Sequence, residues 1–291
     1  MNEAINFDIE GLIARYELHP DRQDVFVEGE RDVGLVRTFL DKHGRKNVSV
    51  YSVSAVNIAP DLVRARSLPH PSKQSEVITL AMELESNGVS SKQMACLADA
   101  DLEYVSPRKI VCSLLLFTDY ASMELYAFCN EAVHDLLIMV APNTTGSGAN
   151  LISELTGPLQ YLFAARATNF ELQLQLEWID SIEKFFVLDG GRIQFDGAEF
   201  MRRYMKIRLP EDKVGQFEAR LTLIRSKSYP DVRQTIRGHD FIRLLAWYLR
   251  KKEKRTYLTD DSVRQMLYLR LSTEDLSKES MFSSLLTRIA G

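Results

Sequence analysis

The feature that most constrains this chain is the placement of acidic residues directly after short apolar strands. Asp24–Val27 predicts a buried strand that ends at Glu28-Gly29, and Met94–Ala98 predicts a second that runs into Asp99-Ala-Asp101. Apolar residues at helical spacing follow the first strand from Asp32 to about Lys42. Such alternation predicts a mostly parallel sheet flanked by helices. In such sheets, active residues gather at the carboxyl ends of the strands.

The rest of the first half continues the alternation. Further strands are predicted at 48–53 and 110–117, and helices at 75–86 and 122–140. The segment 60–72 is predicted to be a loop because it holds three prolines. Polar and small residues at 143–150 suggest a boundary, so the expected domains are 1–145, an α/β catalytic domain, and 146–291.

The second half is expected to be a mainly helical domain for substrate, dimer or partner contacts. A hairpin is predicted around Gly190-Gly191, and Asp196 with Glu199 predicts a capping pair that opens a helix. Residues 170–176 alternate at period two between helical patterns and stay unassigned. Helical stripes are found at 151–167, 212–225, 239–252, 259–270 and 274–289.

The four acids of the first half form a pattern suited to a metal ion. Glu28 and Asp32 are four residues apart where a strand gives way to a helix, and Asp99 and Asp101 are two apart after a strand. A like-charge pair near 4 Å costs roughly 1–4 kcal/mol, and a divalent cation removes that cost. Oxygen ligands favour Mg²⁺ or Mn²⁺, whereas the five histidines show no zinc spacing.

Four segments carry a family resemblance. Phe26-Val-Glu-Gly-Glu-Arg-Asp32 and Leu97-Ala-Asp-Ala-Asp101 resemble the two motifs of the Toprim domain of topoisomerases, primases and old-like nucleases. Asp32 is similar to the second acid of the old-like nucleases. Thr118-Asp-Tyr-Ala-Ser-Met-Glu-Leu-Tyr126 and Arg237-Gly-His-Asp240 resemble motifs of the Toprim nuclease subunits of the PARIS anti-phage defence systems. The resemblance covers about residues 24–135, and the remainder only loosely.

The resemblance implies a Toprim-like fold and a metal-dependent endonuclease. Glu28, Asp99 and Asp101 would be catalytic; with Asp32 they would bind Mg²⁺ or Mn²⁺, and Glu124 is a candidate further ligand. For Glu28, Asp32 and Glu124 the alternative is an acid at the N-terminal end of a helix, favoured by the helix dipole. The resemblance also implies a toxic defence effector that cleaves tRNA when an ABC-type ATPase partner releases it, with a homodimeric active form. A DNA nuclease of the old-like class and a non-catalytic Toprim scaffold bound to an ATPase are the alternatives.

A cationic segment is the candidate nucleic-acid surface. The chain has a net charge of −4, but residues 231–256 carry eight basic against three acidic residues, with Trp247 and Tyr248 between them. The alternative is a solvated helix face. His239 is a candidate proton carrier or a packed histidine. The candidate phosphate contacts are Lys73, Arg108, Arg250, Lys251, Lys252, Lys254 and Arg255.

Cysteine usage and hydropathy bear on location. The three cysteines are an odd set without CxxC spacing and lie in apolar stretches, which indicates free thiols of a reducing compartment. No apolar run approaches the roughly 20 residues that span a bilayer, and the acidic N-terminus lacks the order of a signal peptide. A cytoplasmic protein without membrane contact is expected.

Overall fold

A computed structural model describes residues 6–66, 68, 72–142, 146–206, 209–253 and 257–289. The strands in these ranges are β1 (Phe7–Asp8), β2 (Asp24–Val27), β3 (Ser49–Ser52), β4 (Val56–Asn57), β5 (Met94–Ala98), β6 (Leu115–Phe117), β7 (Phe186–Asp189) and β8 (Arg192–Phe195). The helices are α1 (Ile9–Leu18), α2 (Glu30–Lys42), α3 (Pro60–Ala65), α4 (Lys73–Ser86), α5 (Asn130–Val140), α6 (Gly148–Glu171), α7 (Gly197–Lys206), α8 (Glu211–Ser226), α9 (Gly238–Glu253), α10 (Asp260–Tyr268), α11 (Thr273–Leu276) and α12 (Ser280–Arg288).

The chain forms two compact units. The first unit contains residues 1–100, 109–119 and 272–291, and the second contains 101–108 and 120–271. This division differs from the expected boundary at 145: the segment 120–140 belongs with the helical unit, and the last twenty residues belong with the α/β unit. Among the described helices, none is long and apolar enough to cross a membrane.

The first unit is built on a parallel sheet of four strands in the order β3-β2-β5-β6. The register pairs Val27 of β2 with Leu97 of β5, so these central strands end side by side. Every residue of β2 and β5 is buried, which is typical of a parallel sheet covered on both faces. Helices α2, α4 and α12 pack on β3, β5 and β6. The predicted mixed α/β architecture, a parallel sheet flanked by helices, is confirmed.

The end of the chain belongs to this first unit. The Phe282 ring of α12 lies 4.6 Å from the Phe39 ring of α2, and Asp119 Oδ2 accepts a hydrogen bond from the Met281 amide at 3.0 Å. Asp119 therefore caps the start of α12. The helix predicted over 274–289 is in fact two short helices, α11 and α12.

Two local predictions in the first unit were wrong. Residues 60–65 form helix α3 instead of a loop, because Pro60 occupies its first position, where a missing N–H costs nothing. The third predicted strand is regular only over Leu115–Phe117. Pro69 and Pro71 of the predicted loop lie outside the described residues.

The second unit is mainly helical and includes the predicted hairpin. β7 and β8 pair antiparallel, and Gly190 and Gly191 supply the positive φ angles of 56° and 84° that the turn requires. Asp196 Oδ1 accepts a hydrogen bond from the Glu199 amide at 2.9 Å, which confirms Asp196 as a helix cap. The unassigned segment after α6 is irregular, with positive φ at Gln173 and Gln175.

Candidate functional site

The neighbouring strands β2 and β5 bring Glu28 and Asp99 to the same edge of the sheet. Glu28 Oε1 accepts a hydrogen bond of 2.7 Å from the backbone N–H of Asp99. Both residues are half-buried. The two acids that the sequence assigned to one site thus lie together at the carboxyl ends of their strands.

Asp32 lies in the first turn of α2. Its Oδ2 accepts a hydrogen bond from the Gly29 amide at 3.2 Å, and the Asp32 amide donates to the Gly29 carbonyl at 3.1 Å. A Cβ at position 29 would lie 3.0 Å from Asp32 Oδ2, so glycine leaves room for this contact. The contact satisfies one of the unpaired amides of a helix start, which is the alternative role considered for Asp32. A metal-ligand role for Asp32 stays a prediction.

The backbone after β5 is held by two side chains that sequence reasoning did not assign. Gln74 Nε2 on α4 donates a hydrogen bond of 2.6 Å to the Asp99 carbonyl. Thr118 Oγ1 after β6 accepts one of 2.9 Å from the Ala100 amide. Thr118 belongs to the motif at 118–126, whereas no local signal in the sequence marks Gln74.

Asp101 belongs to the second unit. Its φ of 45° departs from extended geometry, so the alternation of side chains along a strand does not apply to Asp101. The Asp101 amide donates to the Ala121 carbonyl at 2.7 Å. Burial raises the pKa of Asp101 to about 6, and Glu124 acts in the same direction, while Arg237 opposes both. Its ionised form is therefore disfavoured at neutral pH relative to an ordinary aspartate.

Glu124, in the motif at 118–126, contacts the Arg237-Gly-His-Asp240 motif within the second unit. Its Oε1 lies 3.3 Å from His239 Nε2 and 3.3 Å from Arg264 Nε. A Cβ at Gly238 would lie 2.5 Å from Glu124 Oε2 and closer still to Ser122 Oγ, so the Arg237-Gly-His-Asp240 motif needs glycine at this position. Glu124 is buried, and the Arg264 guanidinium supplies an opposite charge beside it, whereas burial lowers the pKa of His239. These contacts account for Glu124 without a metal, and a ligand role stays a prediction.

The last residue of this motif is also paired. Asp240 accepts two hydrogen bonds from Arg166 Nη2, of 3.0 and 3.2 Å. The Arg166 guanidinium lies 3.2 Å from the Trp178 ring centroid, and burial lowers the pKa of Arg166 to about 10, against the opposing effect of Asp240. The pair is a structural element of the second unit.

Whether these acids can bind a metal ion depends on how many of their carboxylates lie together. Over the described ranges, no three His, Cys, Asp or Glu side chains converge to hold a metal ion by themselves. A metal site that uses all four acids stays a prediction. Mg²⁺, however, commonly binds through one or two carboxylates and keeps its other ligands from water and substrate phosphates. The pair Glu28 and Asp99 fits that smaller requirement.

Several candidate phosphate contacts are engaged with acids. Lys73 Nζ lies 2.7 Å from Glu76, and Arg108 forms an ion pair with Glu103. Arg250 Nη1 donates to the Leu258 carbonyl at 2.8 Å and to Asp260 at 3.2 Å. These three charges are therefore partly compensated.

The remaining part of the cationic segment is the end of α9. Lys251 and Lys252 are exposed, whereas Lys254 and Arg255 lie outside the described residues. Trp247 and Tyr248 are each only 5% exposed. Because α9 turns these two rings into the core of its unit, they do not form part of an exposed nucleic-acid surface.

Comparison of the sequence with models of protein families matches none of them, and comparison with curated proteins gives no significant match.

Proposed function

We propose that this chain is a metal-dependent phosphodiester hydrolase, a nuclease that uses Mg²⁺ or Mn²⁺. The observation that carries the proposal is the bond between the Glu28 carboxylate and the Asp99 amide at the carboxyl ends of adjacent parallel strands. Ligands and reacting groups collect at this edge in open α/β sheets. A half-buried carboxylate at this edge repels the phosphates of a substrate, and a divalent cation relieves that repulsion.

Each residue has a role in this proposal. Glu28 and Asp99 hold the cation. Glu28 also accepts the hydrogen bond from the Asp99 amide and so fixes the backbone of Asp99. A bound divalent ion would polarise the phosphodiester and lower the pKa of its bound water. Asp32 on α2 is the candidate additional ligand. The proposal extends to Asp101 on the strength of the Asp99-Ala-Asp101 spacing alone.

The substrate and partner are proposed from the motif resemblance. We favour tRNA over DNA, with an ABC-type ATPase subunit that restrains the nuclease as a toxic effector of anti-phage defence and a homodimer as its active form. Exposed Lys251 and Lys252 support contact with a phosphate backbone. A structured RNA is bound largely by its shape and phosphates, which such a surface suits.

Incubation of the purified chain with Mg²⁺ or Mn²⁺ and either total RNA or plasmid DNA tests the function. We expect discrete RNA products that vanish with EDTA and with Glu28→Gln. Glu30→Gln is the matched control, because it removes the same charge two residues away at an exposed position. Cleavage of DNA alone would favour the old-like nuclease, and full cleavage by a folded Glu28→Gln protein would end the proposed mechanism.

A non-catalytic scaffold bound to an ATPase is the second candidate. It is favoured by the lack, among the described residues, of three converging acids. Co-expression with an ATPase encoded beside this chain, followed by pull-down, separates the two. A stable complex whose isolated subunit cleaves neither nucleic acid with Mn²⁺ would support the scaffold.

A further inference from the structure

The backbone at residues 98–100, which carries Asp99, is bonded at four consecutive polar groups. The Ala98 carbonyl accepts from the Thr118 amide at 3.0 Å, and the Asp99 amide donates to Glu28 at 2.7 Å. The Asp99 carbonyl accepts from Gln74 at 2.6 Å. The Ala100 amide donates to Thr118 Oγ1 at 2.9 Å. Only the first of these bonds joins two main-chain groups, as in the hydrogen-bond ladder of a sheet; the other three come from side chains.

Gln74 reaches the Asp99 carbonyl from the first turn of α4. It is the second residue of α4, and Ser72, two residues earlier, already caps that helix by accepting from the Ser75 amide at 3.1 Å. The Gln74 side chain is 6% exposed. A buried amide requires a partner, since leaving it unpaired costs about 1–3 kcal/mol. Gln74 meets this requirement at the carbonyl of Asp99.

Thr118 secures the other side of the same turn. It is 2% exposed and follows β6 directly. Its amide and its hydroxyl bind two different residues of the 98–100 segment, so it spans the segment and limits rotation about the Asp99 backbone. A threonine hydroxyl accepts this bond without adding charge next to the acids.

We propose that Gln74 and Thr118 are positioning residues, which hold the Asp99 backbone so that its side chain stays fixed at the carboxyl end of β5 for a divalent cation. This inference rests on the proposed function. Groups that orient metal ligands without touching the metal commonly change metal affinity by about 10–100-fold when they are removed. Gln74 and Thr118 act in this way through the main chain of the ligand.

Substitutions of matched shape isolate the two hydrogen bonds. Thr118→Val removes the hydroxyl at constant shape, and Thr118→Ser keeps it. Gln74→Met removes the amide donor at similar length. Gln23→Met is the control: Gln23 Nε2 also donates to a backbone carbonyl, that of Lys92, at 3.1 Å, but just before the start of β2.

The measurement is Mn²⁺ binding to each full-length variant, followed by electron paramagnetic resonance, together with hydrogen exchange at the Asp99 and Ala100 amides. We expect Gln74→Met and Thr118→Val to weaken Mn²⁺ binding by about 10–100-fold and to speed exchange at these amides. Thr118→Ser and Gln23→Met should match the wild type.

The outcomes separate the inference from the proposed function. If the wild type binds Mn²⁺ and Gln74→Met and Thr118→Val bind it equally well, the positioning role is overturned but the proposed function is not. An absence of Mn²⁺ binding by the wild type would overturn the proposed function and the inference with it. If Gln74→Met does not fold, the comparison of Thr118→Val with Thr118→Ser decides.

Discussion

The pair Arg166–Asp240 gives the sharpest stability prediction. The two side chains are 18% and 5% exposed, so Asp240→Asn leaves a largely buried guanidinium without its counter-charge. Breaking a buried pair from one side costs about 3–5 kcal/mol; we take the lower end because Arg166 keeps some contact with water. The second unit has about 160 residues, a size at which about 3 kcal/mol lowers the Tm by about 6–12 °C.

A double-mutant cycle tests this reasoning. Thermal unfolding followed by circular dichroism would compare Asp240→Asn, Arg166→Met and the double variant. Because the second substitution removes the group that the first leaves unpaired, the double variant should lose no more than either single one. Arg202→Gln, which breaks a solvent-exposed pair with Glu199, is the control and should leave the Tm unchanged. Additive losses, or single variants as stable as the wild type, would refute the argument.

The second unit supports three further predictions. The pKa of Asp101 is raised to about 6 from an ordinary value of 3.8. Ionisation of Asp101 therefore destabilises the fold above pH 6, and this penalty disappears as the pH falls below 4. Asp101→Asn should raise the Tm at pH 8 but not at pH 4. Gly238→Ala should cost about 1–3 kcal/mol, since its methyl group meets Glu124, and a denaturant midpoint equal to the wild type would contradict this. In the double variant Lys251→Gln/Lys252→Gln, the slope of log binding constant against log salt concentration for RNA should become shallower by about 0.7 for each phosphate that the protein no longer neutralises. An unchanged slope would exclude these lysines as phosphate contacts.

The central strands could be predicted from the sequence for a simple physical reason. Asp24–Val27 and Met94–Ala98 are short, apolar and bounded by polar residues, and a strand buried on both faces needs that composition. Their parallel pairing then places Glu28 and Asp99 together. The packing of the last helix on this unit had no such signal, because the Phe39–Phe282 contact joins residues far apart in the chain.

The details of the candidate site were less accessible. The geometry of Asp101 depends on a positive φ that alternation along a strand does not reveal. Gln74 lies in a helix start, where nothing in its neighbours indicates that its amide reaches the end of β5. The burial of Trp247 and Tyr248 could not be read from the charged residues around them, because α9 is buried along most of its length.

Direct binding of Mn²⁺ tests the central claim most simply. Isothermal titration of the metal-free chain should show binding in the wild type and in Glu30→Gln, whose substitution removes an exposed acid. Glu28→Gln keeps an oxygen for the Asp99 amide and loses only the charge, so it should stay as stable as the wild type. We predict that Glu28→Gln and Asp99→Asn each abolish this binding. Mn²⁺ affinity that is equal in the wild type and in both of these variants would contradict a metal site at the ends of β2 and β5.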